Sequence, residues 1–342
     1  MNGTPLQVVG LTGIGEVHAG DDVAGLVVDA LHAQRASLND GDVLAVSSKV
    51  VSKAAGLSVT ATERDEVVLR ESRRLVAARR TPTGVARVVE AAAGPVMAAA
   101  GVDASNVEGD VVLTLPPDPD AAARDLRERL HELTGAVVGV VVTDTAGRAW
   151  RTGQTDFALG AAGLDVLDDL RGTVDAQGRD LSVTARAVAD EIAAAADLVK
   201  GKTRGVPAAL LRGLADLVLP GTEHGPGARS LVRDAAGDWF RLGHVEAVRA
   251  ALGAGGVEPP PVAPGPVPER LGRAAEVALA AGPVTGGAVT VEGPELHLRA
   301  ADEFSLGALT QRVLSALWAE FLAGLVQRGP DGVVVRVVEL PR

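Results

Sequence analysis

The run Val137-Val138-Gly139-Val140-Val141-Val142 breaks directly into Thr143-Asp144-Thr145. Consecutive β-branched residues are stiff at χ1 and disfavour a helix, and an unalternated apolar run has no solvent face. The segment therefore predicts a strand buried on both faces. Its end at Thr143-Asp144-Thr145 puts a carboxylate and a hydroxyl, Asp144 and Thr145, at a strand's carboxyl edge. The following AGRAWRTGQ is too polar and glycine-broken to extend the strand. An Asp-Thr pair there can bind a hard divalent ion that in turn holds phosphates, or Asp144 can simply bond to turn amides.

Other elements alternate around this strand. Asp21-Asp22 caps a helix with the apolar stripe Val23, Leu26, Val27, Ala30, Leu31. Val43–Val46 reads as a short buried strand, 64–79 as a charged helix, and Val111–Leu115 as a strand. Asp120 is placed as the cap of a helix with inner face Leu126, Leu130 and Leu133. The Ala-rich 184–199 predicts a helix, and Val206–Leu211 a strand. GAGGVEPPPVAPGPVP is a linker by composition. The expected domains are thus 1–250, a linker 251–268, and an accessory module 269–342. That module reads as helix 268–281, strands 288–292 and 295–299, helix 305–328 and strand 332–340.

Composition excludes several classes. With no Tyr, four Phe and three Trp in 342 residues, the core has to be packed by Val, Leu and Ala. A net charge of −11 argues against nucleic acid or an anionic membrane as the main partner. The absence of cysteine removes disulfides, thiolate nucleophiles and Cys-type zinc sites. His18, His32, His131, His224, His244 and His297 are scattered, so a metal would need oxygen ligands. With no signal-peptide pattern and no bilayer-length apolar run, a cytoplasmic protein is expected.

Three further constellations carry possible chemistry. Gly101-Val102-Asp103-Ala104-Ser105-Asn106 offers a second metal carboxylate and an amide for a base or sugar, or else ordinary turn chemistry. Ser47-Ser48-Lys49-Val50-Val51-Ser52-Lys53 puts two lysines on one helical face beside three hydroxyls, a phosphate cradle or a solvated basic face. Arg148, Trp150, Arg151, Arg171 and Arg179 lie in Gly-containing loops suited to phosphodiester or carboxylate groups, with acids nearby that offer them plain ion pairs. Neither GxxxxGK[ST] nor GxGxxG is present.

GIGEVHAGDD, DGDVLAVSSKVVSKAAG, GVDASNV, VVVTDTAGRAWRTGQTDFALGAAGL and RGTVDAQGRDLSVTARAVADEIAAAADLVKGK occur in that order. Together they resemble the glutamate ligases of the deazaflavin coenzyme F-420 over about residues 8–245. The resemblance implies an α+β (mixed α/β) core with mixed sheets, neither Rossmann nor P-loop, beside the small C-terminal α/β module. It implies GTP, a divalent Mn or Mg ion, often a monovalent ion such as K, and a homodimer. The reaction implied joins L-glutamate to the precursor's terminal carboxylate as a γ-type amide, through an acyl phosphate. Residue by residue, it implies Asp103 and Asp144 as metal carboxylates and Thr145 as ligand to a second ion. It puts Ile14, Gly15, Glu16, Val17, Ser48, Lys49, Lys53, Asn106 and the loop Lys200-Gly201-Lys202 at the nucleotide, with Lys49 or Lys53 stabilising developing charge. Lys202 stands where some relatives carry an acid. Some relatives are fused to a flavin-binding reductase; the tail here is too short for one, so neither flavin nor reductase activity is expected. Two rival readings of the same residues are a metal-dependent nucleotide phosphohydrolase and a non-catalytic coenzyme-binding protein.

Overall fold

Five strands build the sheet that carries the Val137 run, and their pairing explains why polar residues collect at one edge. The strands are β1 (Gln7–Leu11), β2 (Val43–Ser47), β3 (Gly139–Arg148), β4 (Arg151–Ala162) and β5 (Ala208–Arg212), in the order β1-β5-β2-β3-β4. Only β2 and β3 run parallel, from Val43 beside Gly139 to Ser47 beside Thr143; the other pairs are antiparallel. The computed structural model describes residues 5–60, 63–81, 84–104, 111–234, 237–254, 256 and 261–339.

Helices cover both faces of this sheet. Asp22 caps α1 (Val23–Ala33) by accepting from the Gly25 amide at 3.1 Å. The short α2 (Ser48–Ala54) continues from β2 without a loop. The helix α3 (Pro119–Thr134) packs on β3 and β4 and is capped by Asp118, not Asp120 as expected. Asp120 is instead buried and accepts from the amides of Ala161 and Ala228 at 2.8 Å, and from that of Arg229 at 3.2 Å. Three backbone donors from two segments distant from it in sequence thus claim its carboxylate. On the opposite face α4 (Val188–Lys200) sets Val188, Ala189, Ile192, Ala193 and Ala196 against Val43, Ala45, Val141, Ala209 and Leu211.

Contrary to the sequence expectation, β3 does not end at Thr145. It runs on to Arg148 because β4 folds back and pairs with it, so the polar backbone is satisfied by a partner rather than by a turn. Trp150, at φ 63, makes the reversal. Register shifts interrupt the ribbon between Val142 and Thr143 and again between Gly147 and Arg148. The first falls where the buried run gives way to Thr143-Asp144-Thr145, and a bulge re-aims the side chains beside it.

The chain divides into two compact units, Met1–Glu71 with Ala91–Arg233, and Ser72–Glu90 with Asp234–Arg342. The second unit takes in an early hairpin, within Ser72–Glu90, together with the segment from Asp234 onward. The helical expectation for 64–79 holds only for Arg64–Arg70; Ser72–Thr81 is a strand that pairs with Gly84–Ala91. Within the second unit Arg74 bonds to Glu90 at 3.1 Å and to Glu246 at 2.6 Å. His244, at the start of helix α5 (His244–Ala251), stands edge-on to Trp318 and Phe321, with ring centroids 5.6 Å away.

Helices α6 (Val267–Ala280) and α7 (Glu303–Ala319) share a core with an antiparallel sheet, β6 (Ala288–Glu292), β7 (Glu295–Arg299), β8 (Leu322–Gly329) and β9 (Gly332–Glu339), in the order β6-β7-β9-β8. The helix expected to span 305–328 therefore stops at Ala319. Phe321 turns left-handed at φ 59, and buried Arg270 takes the Glu320 carbonyl at 2.6 Å and that of Phe321 at 3.1 Å. A cation on the freed carbonyls stabilises the stop. The Gly-Pro-Asp-Gly at 329–332 then turns β8 onto β9. Among the described residues no helix is long and apolar enough to cross a membrane.

Gly160 lies where β4 passes the start of α3: a Cβ there would stand 2.1 Å from the Pro119 carbonyl oxygen. Gly160→Ala is expected to lower stability by about 1–3 kcal/mol through overpacking. Gly147→Ala, whose Cβ meets nothing within 4 Å, should stay within about 0.5 kcal/mol. Urea unfolding of both variants checks the difference.

Candidate active site

Parallel pairing of β2 with β3 aligns two carboxyl ends, so the residues just past Ser47 on one strand sit beside those just past Thr143 on the other. Ser48, buried at the first position of α2, hydrogen-bonds the Asp144 carboxylate. The next residue, Lys49, places Nζ 2.7 Å from Asp103 Oδ2. Asp103 is fixed in turn by backbone bonds to Leu113 in both directions, at 2.8 and 3.0 Å. Consecutive residues of one helix thus hold the two carboxylates. One turn on, Lys53 bonds to Glu16 and draws the Glu16 carboxyl below its usual range. The loop bearing Glu16 is anchored by the buried side chains of Ile14 and Val17, while Gly15 and Glu16 stay exposed.

Asp144 is strained electrostatically. Burial, together with repulsion from Asp156, pushes its carboxyl up to about 6 despite bonds from the Thr145 amide and Ser48 and the pull of Lys202. Asp156 is the group that sequence reasoning missed. It sits on β4 opposite Thr145 and is 5% exposed. It accepts from Thr145 Oγ1 at 2.7 Å, from Thr143 Oγ1 at 3.0 Å and from Lys200 Nζ at 2.7 Å. Lys200 also donates to Thr143 Oγ1 at 2.5 Å. Burial alone would raise the Asp156 carboxyl, but Lys200 and the two hydroxyls hold it below the usual range.

The signal for Lys200 is present in the chain. Val188, Ile192, Ala196 and Lys200 recur every four residues, so the ammonium continues a buried stripe. Its head is committed to Asp156 and Thr143, which leaves the side chain of exposed Lys202, 3.3 Å from Thr145 Oγ1, as the cation that faces outward from this loop. A second signal is compositional. The chain has 29 arginines and only four lysines, Lys49, Lys53, Lys200 and Lys202. All four ammonium groups reach this one strand-end region of the first unit.

The arginine set lies farther out. Arg148, Trp150 and Arg151 occupy the exposed tip of the β3–β4 ribbon, with Trp150 88% exposed. Arg171 forks onto Asp169, with Nε–Oδ1 at 2.7 Å and Nη2–Oδ2 at 2.5 Å. The Arg179 amide closes a turn on Asp175. Asn106 lies outside the described residues. Among the described residues no group of three or more His, Asp or Glu side chains gathers as a ready-made metal cage. The donors present at Asp103, Asp144 and Thr145 are all oxygens, which suits a hard divalent ion completed by ligands from elsewhere. The destabilised charge of Asp144 is the feature such an ion would relieve.

Residues 13–213 match the family described as F420-0:Gamma-glutamyl ligase. A Methanopyrus kandleri protein named Coenzyme F420:L-glutamate ligase is 41% identical over 249 residues, 66% of this chain and 94% of that protein. Proteins of the same name from Archaeoglobus fulgidus and Methanothermobacter thermautotrophicus are 40% and 37% identical. Each aligns with 61% of this chain, and with 88% and 89% of their own lengths.

Because the folded Asp144 carboxyl sits above the 3.8 of an unperturbed aspartate, its ionisation opposes folding of the metal-free protein. The penalty is absent at pH 3, develops as pH rises from about 4 to about 6, and is complete above that. Asp144→Asn is therefore expected to raise the thermal midpoint of metal-free protein at pH 8 and to leave it unchanged at pH 3. Paired melting curves with a chelator present test the sign.

Proposed function

The chain belongs to the F420-0:Gamma-glutamyl ligase family, and from that premise we propose that it joins L-glutamate to the terminal carboxylate of a deazaflavin coenzyme precursor. The reaction consumes GTP and can repeat to build a poly-γ-glutamate tail. The observation that carries this reading is the seating of Asp103 and Asp144 on adjacent residues of α2, with all four lysines of the chain in the same strand-end region.

A carboxylate does not condense with an amine unaided. Phosphoryl transfer from GTP would convert it to an acyl phosphate, and the glutamate amine would then displace phosphate, with no protein nucleophile. Positioning and charge stabilisation are what such a reaction asks of the protein. Lys49 and Lys53, one turn apart on α2, would trade Asp103 and Glu16 for phosphate oxygens. Lys202 would approach from the opposite side. The Ile14–Val17 loop, Ser48, Asn106 and the backbone at Lys200-Gly201 would border the nucleotide. Asp103 and Asp144 would hold a divalent Mn or Mg ion and Thr145 a second ion, with a monovalent ion such as K also accommodated. When bound, these ions neutralise phosphate charge.

The exposed Arg148, Arg151 and Arg179, with Trp150, would meet the acidic and aromatic parts of the coenzyme. Arg171 would first have to leave Asp169. A homodimeric, cytoplasmic enzyme is part of the proposal. Binding of flavin is not.

Purified protein incubated with coenzyme precursor, glutamate, GTP and Mn or Mg should yield a product heavier by one glutamyl residue. No product should form when any component is omitted. Asp144→Ala should lower turnover by about 10²–10³-fold or more, the scale of losing a charge-stabilising group. GTP hydrolysis that ignores glutamate would instead mark a phosphohydrolase, and coenzyme binding without any mass change a carrier.

A further inference from the structure

We propose that Asp156, held by Lys200, is a positioning residue that aims the Thr145 hydroxyl oxygen at a bound cation. The inference rests on the reading of Thr145 as ligand to the second ion, beside the one assigned to Asp103 and Asp144, and adds the device that prepares it.

The direction of each hydrogen bond here is set by which groups can donate. Ionised Asp156 can only accept and the Lys200 ammonium can only donate. Between these fixed ends the threonine hydroxyls lose their rotational choice. Thr143 accepts from Lys200 at 2.5 Å and so gives its proton to Asp156 at 3.0 Å. Thr145 gives its proton to the other carboxylate oxygen at 2.7 Å. The remaining lone pairs of Thr145 Oγ1 then face away from Asp156. A cationic group already sits there, the Lys202 ammonium at 3.3 Å. Lys202 is exposed while Lys200 and Asp156 are 4% and 5% exposed. The outer charge can therefore be exchanged while the inner pair stays in place.

Burial of such a pair does not explain itself as stabilisation. A buried ion pair costs so much desolvation that apolar replacement of both partners is often neutral or favourable. A purely structural role for Asp156 and Lys200 and an orienting role for Thr145 thus make different predictions for one variant. Asp156→Leu combined with Lys200→Met keeps the core filled and releases the Thr145 rotor. The single changes Asp156→Asn and Lys200→Met each strand one polar group and serve as comparisons.

Mn2+ binding to the full chain, without nucleotide or coenzyme, would be measured by titration calorimetry below the melting point of each variant. The double variant should fold and bind Mn2+ about 10–100-fold more weakly, the range typical of removing a ligand's hydrogen-bond partner. Thr145→Val should weaken binding comparably, and adding it to the double variant should cost nothing further. Unchanged Mn2+ binding in the double variant, alongside a loss in Thr145→Val, would overturn the positioning role alone. Full Mn2+ affinity and stoichiometry in Thr145→Val would overturn Thr145 as a cation ligand and the inference with it, whereas the ion assigned to Asp103 and Asp144 is judged separately by Asp144→Ala.

Discussion

The parallel seam between Val43–Ser47 and Gly139–Thr143 is the constraint on which the site depends. Strands that run the same way finish on the same edge, so the residues just beyond them meet without any long loop. In this chain those residues are Ser48-Lys49 on one strand and Asp144-Thr145 on the other. Side chains alternate along β3, so the same seam sorts the chemistry by face. Asp144 turns to Ser48, whereas Thr143 and Thr145 turn to Asp156 and to the end of α4. A slip of one residue would exchange the two sets. The valines that bury both faces of the seam hold that register.

The two aspartates met by β3 and β4 show how neighbours decide the fate of a buried charge. Asp156 has a lysine and two hydroxyls within hydrogen-bonding distance and stays ionised despite its burial. Asp144 has weaker help and bears the repulsion of Asp156. The region thus contains one carboxylate whose charge is answered internally and one whose charge is left to be answered from outside. Stability given up at the second is a common companion of function. Asp120 shows a third outcome, in which three backbone amides commit a buried carboxylate to tying β4 and 228–229 to α3.

Much of this is readable from residues alone. The Val137 run, the Val43 strand, the Asp22 cap and the C-terminal strands at 288–292 and 295–299 obey local patterns, and the structure has them there. Asp103 and Asp144 stand out by type and position, and they do meet one helix. The features that escape depend on partners distant in sequence. Nothing around Thr145 says that β4 will return to pair with it, so the ribbon looks like a loop and Asp156 like one more polar residue. Asp120 resembles a cap because its three partners lie some 40 to 110 residues away. The helix at 303 looks longer than it is because Arg270, which receives its end, lies on an earlier helix about 50 residues back.

The lysines bring sequence and site together. Arginine is used 29 times in this chain, so a surface cation that either residue could supply is arginine almost everywhere. Lysine survives at four positions, and each lies against a carboxylate or hydroxyl of the same region. A guanidinium is a broad planar fork, whereas an ammonium is a compact charge with three donors that can point in any direction. The gap between Thr143 and Asp156 receives its donor at 2.5 and 2.7 Å within a packed core, where a compact head fits and a fork does not. At Lys49 and Lys53 the proposed function would set a different requirement. A single-point cation on a flexible stem can leave one oxygen anion for another, as exchange between a resting carboxylate and a phosphate demands. The same residue type thus serves as a fixed pin on the inside of the strand end and, under the proposed function, would serve as a movable charge on its outside.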